Sequence, residues 1–452
     1  MTSASEQNTE ALQGAIVPTF FKYLGLDVLG LIAMTSAMLV DGLFIGNYVG
    51  VEALAAVNLI IPISTLLFGV GMMLSIGGSV RAGKYLGEED KPAASAIFSK
   101  TLMFMALYGA AAISLALIFE EALFTGLGAS RELFPVMSEY YRIIMPFLLA
   151  QLMVLALYYF IRLDGYPNLV ATALAIGALV NILLDYLFIG RFGWGLTGAA
   201  FATGISQALP LPVMLVIYWR KAGRRLRFGL RQRNWKEVFQ AAYNGVSEFI
   251  NEVAGGIVVL ILNWMLLQRI GVHGVAAMTV VNYTMLLGYM MFFAISDTIQ
   301  VMISQNFGAR NAVRMTAFLK TAASTIAMLS AIFITVLLTV SEPIIRLFVD
   351  DRDSAATVAM ATEFVTYIWP LFLFAGVNIL LSGYLTAIHR PLQSGTVALC
   401  HSLILPAAFL ALAYWLLADQ RFVVALPAAE AATCILAVAL FLWHLPAKAV
   451  RA

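Results

Sequence analysis

The sequence predicts an all-α polytopic membrane protein: twelve transmembrane helices in two six-helix bundles, related by a pseudo-twofold axis along the membrane normal. Three observations carry that prediction. The first is composition. Of 452 residues, 62% are hydrophobic and only 12% charged, where a soluble domain carries about 25% charged residues, and the mean hydropathy is +0.90. The second is that the apolar residues fall into twelve runs, each reaching the roughly 20 residues needed to cross a bilayer. The third is an internal repeat. G-V-E-A-L-A-A at Gly50–Ala56 returns as G-V-H-G-V-A-A at Gly271–Ala277, a register of 221 residues that also carries Gly87 onto Gly308. One residue off that register, F-S-K-T (Phe98–Thr101) matches F-L-K-T (Phe318–Thr321). The shift moves six spans onto six, an even number, so the halves share one orientation and a site is expected between them near the midplane.

Taken in order, the spans lie near residues 22–47, 54–80, 93–119, 134–160, 167–190, 196–219, 237–267, 275–303, 313–340, 357–388, 393–417 and 421–445, with tilt or extension beyond the bilayer for the longer ones. The polar stretch Met1–Gly14 has neither a basic n-region nor a cleavage site, so a cleavable signal peptide is not expected. Lys and Arg set the orientation. With the N-terminus inside, the inner segments hold nineteen Lys and Arg, eight of them in the run from Arg220 to Lys236. The outer segments hold seven, with Lys22 at the first boundary, and also collect Glu120, Glu121, Glu132, Asp350, Asp351 and Asp353. This asymmetry predicts a bacterial cytoplasmic (inner) membrane protein with both termini in the cytoplasm. The basic run at 220–236 divides an N-lobe, residues 1–219, from a C-lobe, residues 237–452. A solvated inner loop meeting anionic lipid accounts for it, and no nucleic-acid partner is expected.

Candidate functional residues follow from the cost of placing charge in lipid. The stretch Ala178–Gly190 is apolar except for Asn181 and Asp185, which share one helix face at i and i+4. A carboxylate there costs about 2.5–3.5 kcal/mol on insertion scales and marks a functional site by default. Counting at 1.5 Å per residue, Asp41 lies about six residues before the first outer loop and Asp185 about five before the third. Thr203 lies about seven residues inside the sixth span, and Tyr140 and Tyr141 six or seven inside the fourth. These counts put Asp41, Asp185, Thr203 and a tyrosine, Tyr140 or Tyr141, at one level of the N-lobe, with Asn181 a turn deeper. Two carboxylates, an amide oxygen and a hydroxyl make a hard-oxygen site fit for a proton or Na⁺. The competing reading is a hydrogen-bonded packing cluster, for which two acids are a costly choice.

The C-lobe does not repeat that set, because the register takes Asp41 to Leu262 and Asp185 to the vicinity of Pro406. Its own acids are Glu248 and Glu252, on one face of the seventh span, and Asp297 in the inner half of the eighth. Glu248 and Glu252 either bind a cationic substrate or a second coupling ion, or hydrogen-bond to neighbours such as Asn244 and Asn251. Asp297 either belongs to an inner gate or is a snorkelling or capped acid. Glu363 and Glu430 stand isolated, and Asp27, five residues past Lys22, is solvated or paired.

Other features carry less. G-S-V-R-A-G-K-Y (Gly78–Tyr85) nearly satisfies the phosphate-loop pattern, but it ends in Tyr where a metal-binding hydroxyl belongs and leaves an apolar helix rather than a strand. With no other nucleotide motif, any pumping must run on an ion gradient. His401 reads as a packed core histidine without a second ligand nearby, and Cys400 and Cys434 as small core residues. No His-, Asp- or Ser-based constellation sits at the water interface, so an enzyme is not expected. The densest aromatic and methionine run, M-L-L-G-Y-M-M-F-F at Met285–Phe293, suits promiscuous binding of flat apolar cations, although ordinary packing accounts for most such residues.

Six motifs in order, V-D-G-L-F-I-G (Val40–Gly46), A-L-A-A-V-N (Ala53–Asn58), R-L-D-G-Y-P (Arg162–Pro167), N-I-L-L-D-Y-L-F-I (Asn181–Ile189), G-L-T-G-A-A-F-A-T (Gly195–Thr203) and Q-N-F-G-A-R-N (Gln305–Asn311), make the chain resemble the multidrug and toxic compound extrusion (MATE) family. The resemblance implies a twelve-helix secondary antiporter that exports organic cations and drugs in exchange for Na⁺ or H⁺ by alternating access. It implies ion coupling at Asp41, Asn181, Asp185 and Thr203, and a coupling role for Glu252 of the kind some members place in the seventh helix. No cofactor is implied beyond the coupling ion; the expected partners are small cationic amphipathic drugs and the lipid bilayer, and a monomer is expected. Two departures stand out. The first span lacks the proline that many members carry near Leu26–Asp27, and the tenth span offers Asn378 where some members have an aspartate. The alternative on a related fold is a flippase or exporter of lipid-linked precursors, which a cleft lined by several Arg or Lys would favour; a passive channel is a further rival.

Overall fold

Among the described residues, twelve helices of 23 to 37 residues are long and apolar enough to cross a membrane. The computed structural model describes residues 10–346, 354–417 and 419–451. Asp350, Asp351, Arg352 and Asp353 of the expected outer loop lie outside the described residues. The helices are α1 (Ile16–Val49), α2 (Val51–Gly87), α3 (Lys91–Ile118), α4 (Phe134–Leu163), α5 (Pro167–Arg191), α6 (Gly195–Trp219), α7 (Val246–Arg269), α8 (Val272–Gly308), α9 (Ala312–Arg346), α10 (Ala356–Ala387), α11 (Pro391–Leu416) and α12 (Arg421–Trp443). No strand occurs among the described residues. The chain is all-α, as the composition requires.

Two units result, Met1–Gly245 and Val246–Ala452. In the first, α1 packs along α5, α4 lies against α2, α3 and α6, and α5 against α6. In the second, α8 packs against α9 and α10, α10 against α11, and α11 against α7 and α12. The repeat is visible in the backbone. The second helix of each unit has 37 residues, Val51–Gly87 and Val272–Gly308. Each follows a glycine with positive φ, Gly50 at 123° and Gly271 at 88°, a region that a side chain would strain. Glu89 and Arg310, again 221 residues apart, both take the left-handed conformation, at 62° and 54°.

The boundary between the units differs from the sequence expectation. Residues 237–245, assigned there to the seventh span and the C-lobe, form a separate short helix, Lys236–Asn244, that packs on α2. The reason is steric. A Cβ on Gly77 would lie 1.9 Å from the Ala241 carbonyl oxygen, and one on Gly245 would lie 2.2 Å from that of Met73. Two bare glycines let the backbones touch. Charge then locks the contact: Glu237 accepts from Lys100 and Tyr85 and lies 3.6 Å from Arg81. Burial pushes the Glu237 carboxyl up, but Lys100, Tyr85 and Arg81 outweigh it and hold it below the ordinary Glu range.

The basic run between α6 and this helix is likewise tied down. Asp164 accepts from the Arg225 backbone N–H and Nε and from Tyr218, while Ser95 and Ser99 accept from the N–H groups of Arg227 and Gly229. Asp27, expected to be solvated or paired, is paired. It is buried against Arg162 at the end of α4, whose guanidinium also sits 4.7 Å from the Tyr158 ring centre.

Candidate cation-binding site

The N-lobe residues singled out in the sequence converge. Asp41 comes from α1, Tyr140 from α4, Asn181 and Asp185 from α5, and Thr203 from α6. Local packing sets their level. Gly177 has no side chain, and a Cβ there would lie 2.8 Å from the Ser206 carbonyl oxygen. That close approach draws α5 against α6, so that Asn181 and Asp185, one and two turns on, come level with Thr203. Pro210 reinforces the design, because it lacks the N–H that would bond Ser206 C=O within the helix.

The geometry is that of a small oxygen cluster. Thr203 Oγ1 donates to Asp41 Oδ1 at 3.2 Å. The Asp41 and Asp185 carboxyls face one another within hydrogen-bonding reach. Asp185 is fully buried, and apart from that facing carboxyl neither of its oxygens has a donor among the described residues. Tyr140, also buried, lies against Thr203 and both carboxyls. Tyr141, the other tyrosine at this depth, points away and donates to the Ala116 carbonyl at 2.9 Å. Two carboxylates in contact repel each other unless a cation, whether a shared proton or a metal ion, lies between them.

Asp41, Asn181 and Thr203 also line a cavity of ≈ 120 Å³ inside this unit, together with Met34, Met38, Gln151, Ser206 and Gln207. Asp41 is its one charged lining residue. The methionines and glutamines escaped the sequence reading. Each sits in an apolar helix with nothing local to separate a cavity-lining residue from a packed one.

The acids of the second unit divide. Glu248 is buried on α7, faces Asp297 of α8 and accepts from Gln300 Nε2 at 3.2 Å. Glu252, one turn on, is exposed and makes no hydrogen bond among the described residues. Both Asp297 and Glu252 lie close enough to act on the charge of Glu248. Glu430, expected to be isolated, is not. His401 Nδ1 lies 2.9 Å from its carboxylate, and Asn378 Nδ2 donates to it at 2.7 Å. The sequence reading of His401 as a packed core histidine without a second ligand nearby is corrected in its second part, since the Glu430 carboxylate is such a neighbour. The two lie on different helices, and their sequence separation gives no sign of the pairing. Glu363 accepts from Tyr367 at 2.7 Å.

Comparison with known proteins bears on this arrangement. The model of the family described as MatE matches residues 28–187 and 254–412, one segment in each unit. A FAD transporter of Shewanella oneidensis is 26% identical over 415 residues, 89% of each chain. The multidrug export protein MepA of Staphylococcus saprophyticus is 25% identical over 347 residues, 76% of this chain and 75% of that one. Among solved structures, a MOP superfamily transporter from Pyrococcus furiosus, described as having a binding pocket of reverse polarity, aligns with a TM-score of 0.90 at 19% identity, covering 98% of this chain and 99% of that one. An outward-facing multidrug resistance MATE transporter aligns with a TM-score of 0.89 at 20% identity, covering 98% of both. At those identities the structures establish the fold.

Proposed function

The chain belongs to the MatE family of membrane transporters, not to a family of enzymes, and from that premise we propose that it exports cationic, amphipathic drugs in exchange for H⁺ or Na⁺ by alternating access. In this reading it works as a monomer in a bacterial cytoplasmic membrane, with both termini inside and no cofactor beyond the coupling ion. The observation that carries the reading is the facing pair Asp41 and Asp185 beside a cavity whose one charged lining residue is Asp41. An acidic wall attracts cations, and Met34 and Met38 supply adaptable apolar surface for varied ring systems.

The exchange follows from charge. A drug cation and a coupling cation compete for the same negative charge. Arrival of H⁺ or Na⁺ from outside removes one negative charge from the pair, lets α1, α5 and α6 close on it, and weakens the attraction that held the drug. Asn181 and Thr203 supply the neutral oxygens that a Na⁺ would need in addition. When one H⁺ or Na⁺ exchanges for one drug cation no net charge crosses the membrane, so the ion gradient itself drives export: a tenfold gradient supplies about 1.4 kcal/mol, enough for roughly tenfold accumulation. Glu248, with Asp297 and Glu252 near it, forms a second acidic position that fits a cationic substrate.

The test is dye efflux in everted vesicles, energised first by a pH gradient and then by a Na⁺ gradient. Asp41→Asn is expected to abolish efflux with normal expression; full efflux would refute the assigned role. The name of the Shewanella relative favours a second reading, export of FAD, which shares a flat ring system but carries negative charge. Gradient-driven accumulation of FAD but not of cationic dye would establish that reading instead.

A further inference from the structure

The second unit holds a buried pair that the exchange described above does not use. Glu430 on α12 is 4% exposed, about 13 Å along its helix from Arg421. Its carboxylate meets His401 of α11 at 2.9 Å and Asn378 of α10 at 2.7 Å. Asn378 is fully buried, and its Oδ1 has no hydrogen-bond partner among the described residues. The ring of Tyr289 from α8 lies 6.4 Å from that of His401. Four helices therefore bring a base, an acid, an amide and a phenol together inside the apolar span.

We propose that Glu430 and His401 form a proton-binding site, a second cation site of this chain that takes one exchangeable proton. An ionised carboxylate alone in an apolar interior is costly, and a neutral imidazole beside it leaves that cost unrelieved. One proton on the pair removes the net charge, and its loss restores it. The mixture of one ring nitrogen and few oxygens suits a proton better than Na⁺.

The internal repeat gives independent support. In the first unit, the fifth helix carries Asp185 directly before a π-helical segment, Tyr186–Arg191. In the second unit, the fifth helix carries His401 within a π-helical segment, Cys400–Ile404. Such widened turns recur at functional sites because they re-aim side chains. In both units the partners come from corresponding helices, at different register positions. Thr203 stands on the sixth helix of the first unit and Glu430 on the sixth of the second. Asp41 stands on the first helix of one unit, and Asn251, which accepts from Ser402 at 3.0 Å, on the first of the other.

The titratable neighbours are few. Tyr289 faces Glu430 from α8, and Cys434 lies one turn beyond it on α12. Cys400 precedes His401 on α11. On α7, Glu248 is engaged with Gln300 and Glu252 is exposed. On α10, Glu363 is engaged with Tyr367, and Arg421 lies at the far start of α12. Among the described residues no fixed cation competes with the proton for the Glu430 carboxylate.

The experiment is an NMR pH titration of full-length protein in detergent, with its histidines isotope-labelled and His401 identified by His401→Gln. The expected result is a His401 ring resonance that titrates reversibly between about pH 5 and 9, with a midpoint displaced by at least about one pH unit, a tenfold change in proton affinity, in Glu430→Gln. A resonance that stays fixed across that range, or one indifferent to Glu430→Gln, would overturn the proposal. Proton binding here stands apart from the antiport; only its use in exchange rests on that reading. The two failures are separable: His401 titrating while Asp41→Asn still exports keeps this site and sinks the antiport reading, and a silent His401 with an inert Asp41→Asn does the reverse.

Discussion

The ion pair between Asp27 and Arg162 makes a sharp energetic prediction. Arg162 is fully buried and Asp27 is 4% exposed, and they join the first helix to the end of the fourth. Arg162→Met keeps most of the side-chain volume and removes the charge, leaving the Asp27 carboxylate buried without its counter-ion. Breaking a buried pair from one side costs about 3–5 kcal/mol, because the remaining charge stays desolvated. Loss of the guanidinium beside the Tyr158 ring, 4.7 Å away, adds about 0.5–2 kcal/mol. Asp27→Leu should cost a similar amount for the reciprocal reason. The double variant Asp27→Leu/Arg162→Met removes both charges of the pair and should recover most of the loss, since apolar replacement of a whole buried pair is often neutral. The assay is the thermal midpoint of purified protein in detergent, followed by fluorescence-detected size exclusion, for the four members of the cycle. A single variant costing under about 1 kcal/mol, in the range of exposed pairs, or a double variant as unstable as both losses added, would refute this reasoning.

Two further outcomes follow from the same coordinates. Glu237→Gln should cost about 3–5 kcal/mol, because it leaves the buried Lys100 ammonium without its carboxylate. Since the folded-state affinity of Glu237 for a proton is depressed, its contribution should be fully present above the ordinary Glu value of about 4.3 and lost as pH falls below that value; a thermal midpoint of wild type minus variant that stays constant down to acid pH would contradict this. Gly177→Val should force α5 and α6 apart, because the first added carbon alone meets the Ser206 carbonyl oxygen at 2.8 Å. Overpacking of this kind costs about 1–3 kcal/mol, and dye efflux should fall with it; unchanged efflux would show that the level of Asn181 and Asp185 does not depend on that contact.

The class of fold was legible because lipid imposes one rule on every helix, so that twelve apolar runs read directly as twelve spans. The N-lobe cluster was legible for a related reason. Asp41, Asp185, Thr203 and Tyr140 are polar residues in apolar runs, and depth along a straight helix is a matter of counting. What depends on rotation about the helix axis was not. Tyr140 and Tyr141 share a depth and point to different places. Glu248 and Glu252 share a helix face, yet one is buried against Asp297 and the other exposed. The pairing of His401 with Glu430 depends on two helices meeting at one angle, and no spacing within either helix encodes that. The start of the seventh span was misplaced because hydropathy records apolar length, whereas the break at Gly245 is a matter of backbone contact with α2.

The repeat bears on the choice of coupling ion. Gly50 and Gly271, and Glu89 and Arg310, keep the same left-handed backbone at the same 221-residue displacement, although Glu and Arg have opposite charge. The fold therefore holds the backbone fixed while the side chains have diverged. In the first unit the fifth and sixth helices present oxygens only: Asn181, Asp185 and Thr203. In the second they present His401 and Glu430. An all-oxygen cluster accepts either H⁺ or Na⁺, whereas a histidine–carboxylate pair with one amide favours the proton. If a Na⁺ gradient is sufficient to drive efflux, as well as a pH gradient, the first unit must do the Na⁺ coupling. In that case His401→Gln should leave Na⁺-driven efflux intact while weakening efflux driven by a pH gradient. Equal loss under both gradients would mean that the pair supports the fold of its unit and not the exchange.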